Sequence, residues 1–247
     1  MWSIRLLATS CNIGGYYMGV SFFVKKQSVS PFLMQVDDCD EHNAEFTDVS
    51  NDGGSSGCEE LYGYPASYVE VTNCTTTEGG NIITNKTFPT SEKITIEFYW
   101  SGEDSNWYDD ALFNTMNYLF IVKANDYTIN TTVPYFGRPE SSAWMRLNMR
   151  APSDNITLEA PSPLGVVGGT IPSFVPDTWT PIKMELDWPN ETVKAWGNDF
   201  LVVNESIPSD VLTNVGSAFQ FGFHWHTRTL TGRQHYSRIH VWSGDLS

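Results

Sequence analysis

The sequence predicts an all-β protein built as an antiparallel β-sandwich, and two observations carry that prediction. Four segments alternate apolar and polar residues with a period of two, and turn-forming residues separate them. No helix-period apolar stripe runs beyond about three turns. Ile94, Ile96, Phe98 and Trp100 alternate with Lys93, Thr95, Glu97 and Tyr99. Met145, Leu147 and Met149 alternate with Trp144, Arg146, Asn148 and Arg150. Ile182, Met184, Leu186 and Trp188 alternate with Lys183, Glu185 and Asp187. Phe219, Phe221, Phe223 and Trp225 alternate with Gln220, Gly222, His224 and His226. Successive side chains of a strand point to opposite sides of a sheet, so each segment reads as a strand with one dry and one wet face.

The connections follow from turn chemistry. Pro189-Asn190-Glu191 reads as a hairpin turn, and Gly102–Asn106 and Gly137–Glu140 as loops. Residues 159–181 are rich in proline and glycine and predict a long surface excursion. Residues 37–60 are acidic and Gly/Ser-rich and predict an irregular loop pinned by Cys39 and Cys58. One short helix is expected around Tyr108 to Leu119, with an acidic start at Asp109-Asp110. Leu6 to Val24 carries no charge, but Asn12, Gly14, Gly15 and Gly19 dilute it too far for a membrane span. Ile4-Arg5-Leu6-Leu7 is too short for the apolar core of a signal peptide, so this stretch reads as strands. The expectation is one β-sandwich domain over 1–247, with an irregular disulfide-bonded segment at about 30–80 within it.

Composition narrows the function. A hydrophobic fraction of 40% in 247 residues suffices for a substantial core. A formal net charge of −15 repels nucleic acid, and no basic stripe or phosphate-cradling glycine loop offsets it. Six Asn-x-Ser/Thr sequons begin at Asn73, Asn85, Asn130, Asn155, Asn190 and Asn204 and point to a secreted, N-glycosylated, extracellular protein. Cys11, Cys39, Cys58 and Cys74 are even in number, which in an oxidising compartment reads as two disulfides. No Cys-x2-Cys pair suggests zinc, and the spacing leaves the pairing open.

The order of the late segments carries a resemblance. Thr178-Trp179-Thr180-Pro181 leads into the strand Ile182–Trp188. A turn and the strand Val193–Val202 follow, and then the pair Phe219–Phe223 and Arg238–Trp242. Over roughly 90–245 the chain resembles the concanavalin A-like jelly-roll superfamily of lectins, laminin-G-like modules, glucanases and polysaccharide lyases. That resemblance implies a jelly-roll sandwich and a carbohydrate partner.

The chemistry expected of this chain centres on its last third. Between Asp210 and Asp245 there is no acidic residue, yet His224, His226, His235, His240, Arg228, Arg233 and Arg238 all fall there. On a strand, Gln220, Gly222, His224, His226 and Arg228 project to one face, with Gly222 leaving room for a ligand. With Arg146, Arg150 and Trp144 these residues would make a glycan-binding floor. Some lyases of the superfamily carry a late strand Tyr-Phe-Lys-x-Gly-x-Tyr. Here Ala218–His224 stands in its place, with Gln220 for the lysine and His224 for the catalytic tyrosine. That substitution makes His224 the candidate base of a β-elimination on a uronate-containing glycan. Glu185, Asp187 and Glu191 are similar to the paired carboxylates of laminarinase-type glycosidases, but Pro189 ends the strand before Glu191. Trp144 and Trp242 follow the polar phase and are candidate sugar platforms, whereas Trp225 follows the core phase. Calcium could be held by Asp104, Asn106, Asp109 and Asp110 with Glu103, or by Asp37, Asp38, Asp40, Glu41 and Asp48. The leading expectation is lectin-type glycan binding. Lyase activity is one alternative. The other is a structural role as a homo-oligomeric subunit of a coat, filament or virion surface, built on exposed strand edges.

Overall fold

Every alternating segment forms a strand. The computed structural model describes residues 32–50, 54–71, 79–102, 116–126, 144–150, 155–159, 167–172, 178–226 and 232–244. For Met116, Trp144, Arg150, Asn155–Glu159, Val167 and His226 it describes the backbone alone. These residues all fall within the unit Phe32–Ser247.

The first half of this unit contains β1 (Met34–Val36), α1 (Cys39–Glu45), β2 (Phe46–Asp48), β3 (Gly54–Leu61), β4 (Tyr64–Val71), β5 (Gly79–Thr84), β6 (Phe88–Pro89), β7 (Lys93–Gly102) and β8 (Met116–Lys123). The second half contains β9 (Trp144–Arg150), β10 (Asn155–Glu159), β11 (Val167–Thr170), β12 (Thr180–Asp187), β13 (Thr192–Gly197), β14 (Phe200–Ser206), α2 (Ser209–Val215), β15 (Ala218–His226) and β16 (Gly232–Ser243). They form two antiparallel sheets. The first has the order β14-β13-β12-β7-β16-β4-β3, with β1 also paired to β16. The second has the order β11-β10-β9-β8-β15-β5-β2, with β6 also paired to β15.

The dry phase of each strand meets its counterpart between the sheets. Ile94, Ile96, Phe98 and Trp100 of β7 and Ile182, Met184 and Leu186 of β12 share one core with Met145, Leu147 and Met149 of β9 and the four aromatics of β15. Aromatic edges lock the two layers together. Phe98 meets Phe223 edge-on at 5.0 Å, and Tyr236 stacks on Phe223 at 3.9 Å.

β16 shows how the chain corrects its own phase. Gln234 and Tyr236 face the core, and so do Ile239 and Val241, three and five residues beyond Tyr236. Strict alternation cannot satisfy both pairs. A bulge resolves the conflict: Ser237 lies opposite Tyr99 and His240 opposite Glu97, so two residues of β16 face one of β7. Arg238 sits in the bulge with φ 49°, in the left-handed region that non-glycine residues seldom adopt.

Three stretches depart from the sequence reading. Residues 37–60 are not an irregular loop but carry α1, β2 and β3. Asp38 caps α1 by accepting from the Glu41 N–H, and a Cys39–Cys58 disulfide ties the helix to β3. The acidic residues act as a helix start, which composition alone reads as loop. The helix expected to run to Leu119 is replaced from Met116 onward by β8, and residues 108–115 lie outside the described residues. Leu119 and Ile121 face the core while Tyr118, Phe120 and Val122 are buried on the other side. A strand apolar in both phases loses the alternation that would reveal it. Part of the stretch 159–181 is a strand, β11, rather than a surface excursion. The short helix α2, which buries Val211 and Val215, was too brief for a periodic signal. Cys11, Cys74 and the stretch Leu6–Val24 lie outside the described residues. Among those described, no helix is long and apolar enough to cross a membrane.

The disulfide closes a loop of sequence separation 19. Its loss is expected to lower stability by about 3 kcal/mol. Chemical denaturation of Cys39→Ser against the oxidised wild type checks this, and equal midpoints would contradict it.

Candidate functional site

The aromatics of β15 all turn inward, so Gln220, Gly222 and His224 must face away from the core. β9 turns Met145, Leu147 and Met149 inward, so Arg146 and Asn148 face the same outer side. β8 lies between the two strands. The register then builds rows across the outer face of the second sheet. Asn81 of β5 is opposite His224, His224 is opposite Tyr118 of β8, and Tyr118 is opposite Asn148 of β9. In the next row Ile83, Gly222, Phe120 and Arg146 are successive partners. Gln220 is opposite Val122, whose backbone partner on β9 is Trp144. His226 lies opposite Gly79 and Met116, and Arg150 opposite Asn155. Gln220, His224 and Arg146, three of the expected floor residues, therefore do share one face. Arg228 lies outside the described residues.

The central row is tightly coupled. His224 Nδ1 is 2.5 Å from Asn81 Oδ1. Its ring stacks on Tyr118 with centroids 4.6 Å apart. The Arg146 guanidinium lies 5.1 Å from the Tyr118 ring centroid. Asn148 completes the row at 1% exposure, and neither of its carboxamide atoms has a hydrogen-bond partner among the described residues. A buried amide without partners is costly and calls for an explanation at its position.

Other members of the expected floor have structural duties. The Gln220 carboxamide donates to the Thr84 carbonyl at 2.5 Å and accepts from the Asn125 N–H at 2.7 Å, so it splices backbone together. Gly222 does not keep space for a ligand. A Cβ there would collide with the Ile82 carbonyl and the Phe120 ring, and Phe120 fills the room. The outer phase of β15 is also not wet, since Gln220 and His224 are both buried.

The histidine- and arginine-rich run does not form one site. His224 and His226 belong to β15 in the second sheet, while β16 places His235, His240, Arg233 and Arg238 in the first. On the first sheet Arg233 bonds Glu59 at 2.5 Å and Glu70 at 3.0 Å, and His235 bonds Glu59 at 2.7 Å. His240 bonds Asp37 at 2.8 Å.

The remaining expectations resolve residue by residue. Glu191 lies beyond β12 in the turn with φ 55°, apart from Glu185 and Asp187, which both pair with Lys93. Trp242 is buried and cannot be an exposed platform. Trp225 is in the core, as its phase predicts. The acidic residues from Asp37 to Asp48 bond one another's backbone and side-chain neighbours. Asp38 caps α1, Asp48 accepts from Ser50 and Ser56, and the Asp37 N–H donates to Glu41. Among the described residues no group of three His, Cys, Asp or Glu side chains could hold a metal. Asp104, Asn106, Asp109 and Asp110 lie outside them. Of the sequons, Asn85, Asn190 and Asn204 are exposed, Asn155 begins β10, and Asn73 and Asn130 lie outside the described residues.

Tyr118, Asn81 and the free carboxamide of Asn148 were not anticipated from sequence. Tyr118 was hidden inside the helix reading. A strand that is apolar in both phases offers no alternation by which Tyr118 could have been placed.

No protein-family model matches the chain, and no curated protein matches its sequence. Solved structures do match in fold. A point mutant of the Emp46p carbohydrate recognition domain superposes with TM-score 0.58 at 11% identity, over 87% of this chain and 96% of that one. Lectin UEA-II complexed with galactose gives 0.55 at 11% identity, over 87% and 100%. A Bacillus subtilis protein described as having a galectin-like fold gives 0.52 at 13% identity, over 76% and 87%.

Proposed function

We propose that this concanavalin A-like β-sandwich is a carbohydrate-binding protein of lectin type that takes its ligand on the outer face of the second sheet. The observation that carries the reading is Asn148. Its donors and acceptor are held without protein partners beside the row of Asn81, His224 and Tyr118, and a sugar hydroxyl supplies what that amide lacks. The same fold serves a carbohydrate recognition domain and a lectin complexed with galactose, which supports the ligand class. The Cys39–Cys58 disulfide and the exposed sequon residues Asn85, Asn190 and Asn204 support a secreted glycoprotein.

A glycan array followed by titration of the best ligand tests this. Binding without consumption of the sugar is expected, with affinity reduced about tenfold or more in Asn148→Ala. Wild-type affinity in that variant would remove the proposal.

One observation favours a second reading. β-Elimination needs a base, an acid and a group to neutralise the uronate carboxylate. His224, Tyr118 and Arg146 stand next to one another on adjacent strands. A rise in unsaturated-uronate absorbance on acidic polysaccharides, abolished by His224→Ala, would make the protein a lyase. A flat trace leaves the lectin reading in place.

A further inference from the structure

The outer face of the first sheet, on the other side of the sandwich from Asn148, holds a cleft that the proposed function does not use. Two adjoining cavities of about 430 and 130 Å³ share Tyr64, Ser237 and Arg238. The larger is completed by Asp37, Pro65 and His240, and the smaller by Tyr99 and Trp179.

Arg238 is the centre of this cleft. The β16 bulge that restores the core phase also pushes Arg238 outward at φ 49°. A strained non-glycine residue of this kind is a recurrent mark of functional positions. The guanidinium lies 4.4 Å from the Tyr64 ring centroid and 5.7 Å from that of Tyr99. Among the described residues its N–H groups make no hydrogen bond or ion pair, although the chain carries an excess of carboxylates. Asp37 accepts from His240 Nε2 and Gln35 Nε2 and keeps further acceptor capacity. Tyr64 is 41% exposed, and Tyr62 stands edge-on to Trp179 at 6.2 Å.

We infer that this cleft is a second saccharide site and that the domain is bivalent. Sugar rings need aromatic faces for their C–H groups and a mixed set of planar donors and acceptors for their hydroxyls. Tyr64 and Trp179 supply the first, and Arg238, Asp37 and Ser237 the second. The charges of Arg238 and Asp37 cancel, so the cleft suits a neutral pyranose better than an anion. Its larger cavity lies within the volume range of small-molecule sites. The inference shares only its ligand class with the proposed function, since no residue is common to the two faces.

The test is a titration of the full, isotopically labelled chain with glucose, mannose, galactose and N-acetylglucosamine, read by amide and indole NMR shifts. A proline-rich peptide serves as the competing probe. The variant is Arg238→Gly, because glycine adopts this φ freely and the bulge is retained. Shifts at Ser237, Arg238 and the Trp179 indole are expected with at least one sugar. Affinity there should weaken about tenfold or more in Arg238→Gly at an unchanged melting temperature. Shifts confined to β8, β9 and β15 would overturn this inference and leave the proposed function standing. Shifts confined to the cleft would do the reverse. No response to any sugar would overturn both, and a cleft that answers only to the peptide would make it a peptide-docking groove and overturn the saccharide assignment.

Discussion

Tyr236→Ala is expected to destabilise the protein by about 3–5 kcal/mol, a large part of the stability of any single domain. The ring is fully buried between the sheets, stacked on Phe223 at 3.9 Å and edge-on to Phe98 at 6.0 Å. Truncation therefore leaves a cavity that neither sheet can collapse into without breaking its ladder. The hydroxyl adds a separate contribution. It donates to Asn117 Oδ1 at 2.5 Å, while Asn117 Nδ2 and Trp100 Nε1 both donate to Gln234 Oε1, at 3.2 and 2.9 Å. These four side chains link β7, β8 and β16 through a polar chain inside an apolar core. Tyr236→Phe keeps the packing and loses only the donor, so a smaller cost of about 1–2 kcal/mol is expected. Denaturant midpoints at equal slope measure both, and an alanine variant as stable as the phenylalanine variant would refute the packing argument. Burial also pushes the Tyr236 hydroxyl well above its ordinary value of 10.0. The unfolded chain releases that proton near pH 10 while the folded one holds it. Its contribution is thus intact below about pH 10 and declines as pH rises from there toward the folded value.

Gly222→Ala is the second large effect, about 1–3 kcal/mol and more if the backbone cannot shift. Gly222 lies mid-strand in β15, with β5 on one side and β8 on the other. A methyl group there meets the Ile82 carbonyl, which is fixed by the sheet, and the Phe120 ring, which is held in the outer cluster with Tyr118 and Val122. In a Phe120→Ala background the same glycine substitution should cost less than in wild type, because one of the two collisions is gone. Equal stability of Gly222→Ala and wild type would mean that the outer face is looser than its packing indicates.

The sequence was most informative where one face of a strand is dry and the other polar. β7, β9, β12 and β15 were legible in phase, because aromatic and aliphatic side chains at every second position have only one stable orientation. β8 was not, because both of its faces are covered. α1 was not, because a helix of about two turns is fixed by the Asp38 cap and a disulfide rather than by periodicity. The candidate face was legible as a phase, since Gln220, His224 and Arg146 share one side of the second sheet. What each residue does there was not legible. Gln220 bonds backbone, Gly222 admits Phe120, and the amide without partners belongs to Asn148 on a neighbouring strand. Such assignments depend on register between strands far apart in sequence. The division of the histidine- and arginine-rich run between two opposite faces has the same cause: β15 and β16 are adjacent in sequence but lie in different sheets.

The position of β16 has a kinetic consequence. It follows every other described strand in the sequence, yet it pairs with β1, β4 and β7 and holds the middle of the first sheet. A nascent chain cannot assemble that sheet until Gly232–Ser243 has left the ribosome. Until then the facing edges of β4 and β7 remain without a partner and are competent to pair with another chain. Closing contacts of such sequence separation is entropically slow, so folding is expected on the slow end of the single-domain range. During that interval the yield of native protein depends less on final stability than on how long those two edges stay apart from other copies.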